Sequence, residues 1–174
     1  MRTYGILLIL GLVLAFIAFQ ARTGIFRRAN PGPPANKYTR EMMEEQQLPA
    51  GDQSVIRQHY ADAIVTSSGL RYLVRAPGAG DPPSSGAEVS VNYEGRVLST
   101  GAKFDSSRDR GAPFRFRVGT GAVCKAWDEA FAGMRRGERR TLIVPWWLEE
   151  GGQGPGPLPV HTTLLFEVEL IEVH

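Results

Sequence analysis

From residue 69 onward the apolar residues recur at every second position, and one stretch alone breaks the rule. Leu70, Tyr72 and Val74 set the pattern, Val89, Val91 and Tyr93 repeat it, and Phe114, Phe116 and Val118 follow, then Leu164, Phe166, Val168 and Leu170. Side chains two apart share one face of an extended chain, so each run predicts a strand with one buried face. Residues 141–145 supply a further strand. Val123, Trp127, Ala130, Phe131 and Met134 switch to helical spacing, with Arg135 and Arg136 at the end and Gly137 as the stop. Such a pattern predicts an α+β domain over residues 69–174, an antiparallel sheet of about five strands wrapped around one short helix.

At 174 residues the chain has room for one well-buried domain and a tether, and too little for two domains of ordinary size. The formal net charge is +2, yet within residues 69–174 thirteen Lys and Arg face thirteen Asp and Glu. A neutral domain lacks the electrostatic basis for gripping nucleic acid. Arg135, Arg136, Arg139 and Arg140 form a basic knot around Gly137, expected to be a solvated helix end and turn.

Residues 4–21 carry no charge and would span about 27 Å as a helix, the thickness of a bilayer core. The expectation is an uncleaved anchor over residues 1–21. Its rival is a secretory signal cleaved to release the protein into the periplasm. Cuts after Ala18 or Ala21, however, leave Phe16 or Phe19 where a small residue is wanted. Arg2 precedes the span and Arg22, Arg27 and Arg28 follow it, so the positive-inside rule does not fix the orientation; the assignment is a single-pass protein of the cell membrane with its domain on the periplasmic side. A Pro- and Gly-rich linker follows over 22–36 and a helical extension over 37–68. In that extension Asp52 is a candidate cap, and Val55, Ile56, Tyr60, Ala63 and Ile64 recur at near-helical spacing; residues 38–47 form a second candidate helix. The extension either packs on the domain or pairs with a second copy.

The chemistry concentrates in residues 103–116, KFDSSRDRGAPFRF. Phe114 and Phe116 fall on one strand face, Arg115 and Arg117 on the other, and Asp105 follows Phe104 with Arg108 and Arg110 close behind. An ion pair there would hold an acid at the edge of an aromatic hollow, suited to a ligand with an apolar ring and a polar amide. Other chemistries lack a constellation. His59, His161 and His174 are scattered without ligand spacing, so neither metal nor cofactor is called for. Ser106 and Ser107 have no histidine partner, and residues 151–156, GGQGPG, read as a flexible flap. The single cysteine, Cys124, permits no internal disulfide and is expected to be a small buried thiol.

These residues resemble the FKBP-type peptidyl-prolyl cis-trans isomerases. The likeness runs from VNYEGRVLSTGAKFDSSRDRGAPFRFRVGTG through AWDEAFAGMRRGERRTLIVP to PVHTTLLFEVELIEV, and GLRYLV with its Pro and Gly loop is similar to the start of bacterial, membrane-anchored members. The resemblance implies a proline pocket with Trp127 as floor, Tyr93, Phe104, Phe114, Val123 and Phe166 as walls, Asp105 as an amide-facing acid and Arg110 orienting that acid. Cys124 would stand where the family has a larger aliphatic residue and a backbone donor, and Leu158 would close the far edge. The family's tyrosine donor and the glycine after it are replaced by Glu149 and Glu150, Gly154 stands for a bulkier flap residue, and Trp146 and Trp147 add apolar surface. Weakened macrolide inhibitor binding is therefore expected. The implied activity is rotation of Xaa-Pro bonds in folding or exported polypeptides; a proline-segment-binding chaperone or assembly module with little catalysis is the alternative. Such a reaction needs no nucleophile, because the barrier of about 18–20 kcal/mol is loss of amide resonance, which a dry aromatic hollow lowers by favouring the less polar, twisted state.

Overall fold

The ten-residue strand β3 (Glu88–Val97) organises the sheet. In the computed structural model, which describes residues 47–149 and 161–174, β3 pairs antiparallel along its whole length with β7 (Leu164–Val173). Its other edge is divided: residues from Glu88 to Val91 pair with β5 (Phe114–Arg117), and Glu94 to Arg96 pair with β4 (Lys103–Ser106). β7 also pairs with β6 (Arg139–Val144), then come β2 (Arg71–Ala76) and the two-residue β1 (Ile64–Val65), all antiparallel. The described residues thus hold seven strands rather than about five. The additions are β1 and β4, of two and four residues, in which no alternating apolar run marks a strand.

Ser107 makes the divided edge possible. Where β3 passes from one partner to the other, the Ser107 hydroxyl accepts from the Tyr93 N–H at 2.9 Å and the Ser107 N–H donates to the Tyr93 carbonyl at 3.1 Å. Ser106 and Ser107 are both buried, structural residues at the branch.

Alternation sends β6 and β7 residues to two different layers. Leu142, Val144, Leu164, Phe166, Val168 and Leu170 are all 5% exposed or less and pack with helix α2 (Lys125–Ala132). On the opposite face Ile143 and Leu165 meet Leu48, Ile56 and Leu98. Helix α1 (Ala50–His59) therefore packs on the domain, and burying Ile56 and Leu48 is worth about 1.5–3 kcal/mol each. Three expectations for these elements need correction. Asp52 lies in the first turn of α1, where Pro49 holds the cap position. Ile64 is outside the helix, in β1, and 53% exposed. Helix α2 ends at Ala132 with Gly133 as its cap, while Gly137, at φ 79°, shapes the turn into β6.

The basic knot also divides. Arg135, Arg136 and Arg139 are exposed, whereas Arg140 is buried. Its guanidinium donates to Glu138 at 2.6 Å and to the carbonyls of Ala130 and Gly133, satisfying the C-terminal end of α2, and it lies 4.5 Å from the Tyr72 ring centroid. This ties the helix to the sheet.

Among the described residues no helix is long and apolar enough to cross a membrane. The anchor at 1–21, the linker at 22–36, the extension before residue 47, Glu150, the flap at 151–156 and Leu158 lie outside the described residues.

Candidate active site

Helix α2 carries the indole at its first turn, and the loop before it is fixed from inside the helix. Asp128 accepts the Gly119 and Gly121 N–H groups, each at 2.8 Å, which holds the 119–121 turn and leads the chain to Val123 and the N-cap residue Cys124. Trp127 then stands among rings from three strands. Tyr93 meets it edge-on at 4.8 Å between centroids, Phe166 at 5.4 Å and Phe114 at 6.1 Å, while Phe116 and Phe131 pack beneath it at 5.8 and 5.4 Å. Phe104 reaches the group through Phe166, at 5.6 Å and near-perpendicular. Phe114, 36% exposed, forms the open lip, and Phe116, 7% exposed, is core support.

Gly95 lets two of these rings close over the sheet. A Cβ there would sit 2.6 Å from Phe104 Cζ and 2.8 Å from Phe166 Cε1, closer than any carbon contact allows. Sequence reasoning missed this residue because its demand comes from rings on two other strands. Ser107 and Asp128 were missed because each is tied to backbone groups, which no side-chain pattern reveals.

One edge of the cup is a closed polar network. The Tyr93 hydroxyl donates to Asp105 Oδ2 and accepts from Arg110. Asp105 Oδ1 accepts from Arg110 at 2.6 Å and from the Ser106 N–H at 2.8 Å, and the guanidinium lies 5.3 Å from the Tyr93 ring centroid. Burial, then the bond to Asp105, pushes the Tyr93 phenol up to about 12. Arg110 thus pairs with the acid through one of its oxygens. Arg108 turns away to Glu169 at 3.6 Å, an exposed pair of little energetic weight.

Beyond Cys124 stands a second carboxyl group. Helix α3 (Trp146–Glu149) brings Glu149 against the Cys124 thiol, and its carboxyl Oε2 is buried with no hydrogen-bond partner among the described residues. Burial raises the Glu149 carboxyl above the ordinary carboxylate range, and burial followed by the charge of Glu149 pushes the Cys124 thiol up to about 12. The indole Nε1 of Trp127 is likewise buried without a partner there. A buried polar atom left unpaired costs about 1–3 kcal/mol.

The structure therefore brings Tyr93, Phe104, Asp105, Arg110, Phe114, Val123, Cys124, Trp127 and Phe166 into one neighbourhood, with Leu158 outside the described residues. A separate cleft of about 510 Å³ opens between α1 and Trp147, lined by Gln53, Ile56, Arg57, Ser68 and Arg71 among others, with no carboxylate among its described lining residues.

Comparison with known proteins bears on this geometry. The family model described as FKBP-type peptidyl-prolyl cis-trans isomerase matches residues 80–171. The peptidyl-prolyl cis-trans isomerase Fkbp12 of Drosophila melanogaster is 44% identical over 107 residues, 60% of this chain and 98% of that one. An FK506-binding protein of Neisseria meningitidis serogroup A is 45% identical over 98 residues, 56% of this chain and 89% of its own length. The crystal structure of AtFKBP13 superposes with a TM-score of 0.58 at 33% identity, covering 64% of this chain and 98% of that one.

Proposed function

Because the chain belongs to the FKBP-type peptidyl-prolyl cis-trans isomerases, we propose that the cup around Trp127 is where it turns Xaa-Pro bonds. The activity is that of the family; the assignment of residues rests on the rings converging edge-on on one indole. Trp127 receives the pyrrolidine ring, and Tyr93, Phe104, Phe114, Val123 and Phe166 surround it. Removing water from the amide disfavours its polar planar form more than the twisted one, which lowers the rotation barrier without any bond to the protein. Asp105, held by Arg110 and Tyr93, fixes the polar edge of the cup, and Cys124 bounds its far side.

Exchange spectroscopy on a short Xaa-Pro peptide tests this. Wild-type protein accelerates interconversion at catalytic concentration, and Trp127→Ala loses the acceleration. Full activity in that variant would remove the assignment. The unpaired Glu149 oxygen favours a second reading, in which the cup retains proline segments as a chaperone or assembly module with little turnover. Binding of the peptide without acceleration would select it.

The partners proposed are proline-containing polypeptides, with exported chains as clients whose slow proline steps take tens of seconds or more uncatalysed. Residues 1–21 serve as a membrane anchor holding the domain on the periplasmic side, supported by their length and lack of charge. Protease protection of fractionated cells tests both points; a soluble, shortened protein would replace the anchor with a cleaved signal. Macrolide inhibitors bind more weakly than to a member with tyrosine at this position, and Glu149→Tyr tightens them; unchanged affinity would count against that reading.

A further inference from the structure

On the face of the sheet that α1 covers, the cleft of about 510 Å³ holds two guanidinium groups and no carboxylate among its described lining residues. Strand register puts one of them there. Arg71 opens β2 opposite Ile143 of β6, and residues directly opposite share a face, so Arg71 stands beside Ile143 where α1 packs. Arg57 follows Ile56 on α1 and lines the same cleft. Neither forms an ion pair among the described residues, whereas Arg96, Arg108, Arg110, Arg115 and Arg140 each meet a carboxylate. The Arg57 guanidinium donates to the Ser54 hydroxyl at 3.3 Å and that of Arg71 to the Gly69 carbonyl at 3.4 Å, which leaves most N–H groups of both unused.

The remaining wall is fixed in advance. Trp147 donates its indole N–H to the Ser68 carbonyl at 3.0 Å, and Gly69, at φ 95°, lies so close that a Cβ would sit 3.0 Å from the indole Cζ2. The Ser68 hydroxyl donates to Glu129 at 2.6 Å, so the described carboxylate that touches this turn is held by a serine and not by either arginine. Leu48, Ile56 and Trp147 give the cleft an apolar side, while Arg57 and Ser67 are exposed and Arg71 is half-buried, so the charged side opens to solvent. Its volume falls within the range of about 300–1,000 Å³ usual for ligand sites. A bare anion would satisfy the guanidiniums and leave the apolar side wet; a purely apolar chain would do the reverse. A polypeptide segment with a carboxylate beside an aliphatic side chain meets both, and its carbonyls can accept from the Ser67 hydroxyl. We propose that this cleft is a second binding site for acidic polypeptide segments in which Asp or Glu stands beside an aliphatic residue, gripped by Arg57 and Arg71 and laid against Trp147. It shares no described lining residue with the cup, so the two sites stand or fall separately.

Nitrogen-15 NMR of the full chain tests this with two proline-free peptides, one carrying glutamates on either side of a leucine and one with glutamines in their place. The glutamate peptide is expected to shift the Trp147 indole and the Ser67 and Arg71 amide resonances saturably, leaving those of Tyr93 and Trp127 in place. The glutamine peptide should bind about tenfold more weakly, the loss of charge-assisted hydrogen bonds at a site open to water. Arg57→Gln combined with Arg71→Gln keeps much of each stem and removes both charges. That double variant should show the same loss of about tenfold for the glutamate peptide while turning over an Xaa-Pro peptide at the wild-type rate. Equal affinity of the wild-type protein for the two peptides overturns the proposal without any variant, as do shifts confined to the cup or a double variant that binds like the wild type. Inorganic phosphate is the third probe. If it moves the same resonances and displaces the glutamate peptide at equal concentration, a free-anion site replaces the polypeptide one.

Discussion

Asp105 and Glu149 each bring a carboxylate to the rim of the same aromatic cup, yet the protein completes one and leaves the other unfinished. Asp105 receives Arg110, Tyr93 and a backbone N–H, so both its oxygens are engaged before any ligand arrives. Glu149 meets a thiol and, among the described residues, retains a buried oxygen without a partner. A satisfied acid is rigid and holds Tyr93 in place against Trp127. An unsatisfied one carries the cost of a buried, unpaired oxygen.

The largest effect should come from removing what the two edges share. Trp127→Ala takes away the ring against which Tyr93, Phe114 and Phe166 pack, and is expected to cost about 3–5 kcal/mol in urea unfolding along with the activity. Trp127→Phe keeps most of the volume and separates the effects; it should fold and still turn over more slowly. Next in size is Asp105→Ala, which removes the acceptor of the Tyr93 hydroxyl and one of the two partners of the Arg110 guanidinium. About 1–3 kcal/mol is expected, toward the low end because Arg110 is half exposed and water replaces part of its bond. Ultraviolet titration reads the same change directly. The Tyr93 phenol should drop from about 12 toward its ordinary 10.0, though not fully, since burial is its larger cause. No movement would mean that the network does not hold the ring.

How far the sequence revealed these edges depends on the distance over which each is written. Alternation and the single helical stripe are local, and they located β2, β3, β5, β6, β7 and α2, but not every inward side chain: Val74 on β2 is 47% exposed and Phe114 on β5 36%. The Phe104–Asp105–Arg110 group was legible because its members lie within a few residues of each other. Ile64 continued a helical spacing by chance while its backbone pairs with Tyr72 in β2, so the period misled where the strand was two residues long. Arg140 looked like part of a solvated cluster because nothing local shows the carbonyls of Ala130 and Gly133 that it caps. Gly95 and the meeting of Cys124 with Glu149 are tertiary facts, set by rings and helices distant in the chain.

Alkaline titration distinguishes the two edges further, because each contains one group that burial holds protonated. Cys124 is moved from 9.0 to about 12 and Tyr93 from 10.0 to about 12. In both cases the unfolded chain releases its proton first, so the native state binds more protons in the interval and stability falls as pH rises through it. Below about pH 9 the contribution is fully present; above it, unfolding free energy should decline by a few kcal/mol in all. Cys124→Ala should delay the onset to the phenol's range, leaving the Asp105 edge alone to titrate. An onset unchanged by that substitution would mean the thiol is not held as the geometry requires.

The smallest effect belongs to Glu149 itself. Its carboxyl is raised from an ordinary 4.5, so the native state keeps a proton that the unfolded chain gives up, and stability declines as pH rises from that value through the folded one. The decline is modest because the side chain is only partly buried and water screens what charge it carries. Glu149→Gln removes the titration while keeping the shape. Urea unfolding of the two proteins should therefore agree at low pH, where both carry a neutral group, and diverge toward neutral pH with the variant more stable. The reverse order would show that the ionised carboxylate is held favourably, like Asp105, and the contrast between the edges would disappear. Agreement with the expected order would place the cost of burying the ionised carboxyl in the folded protein.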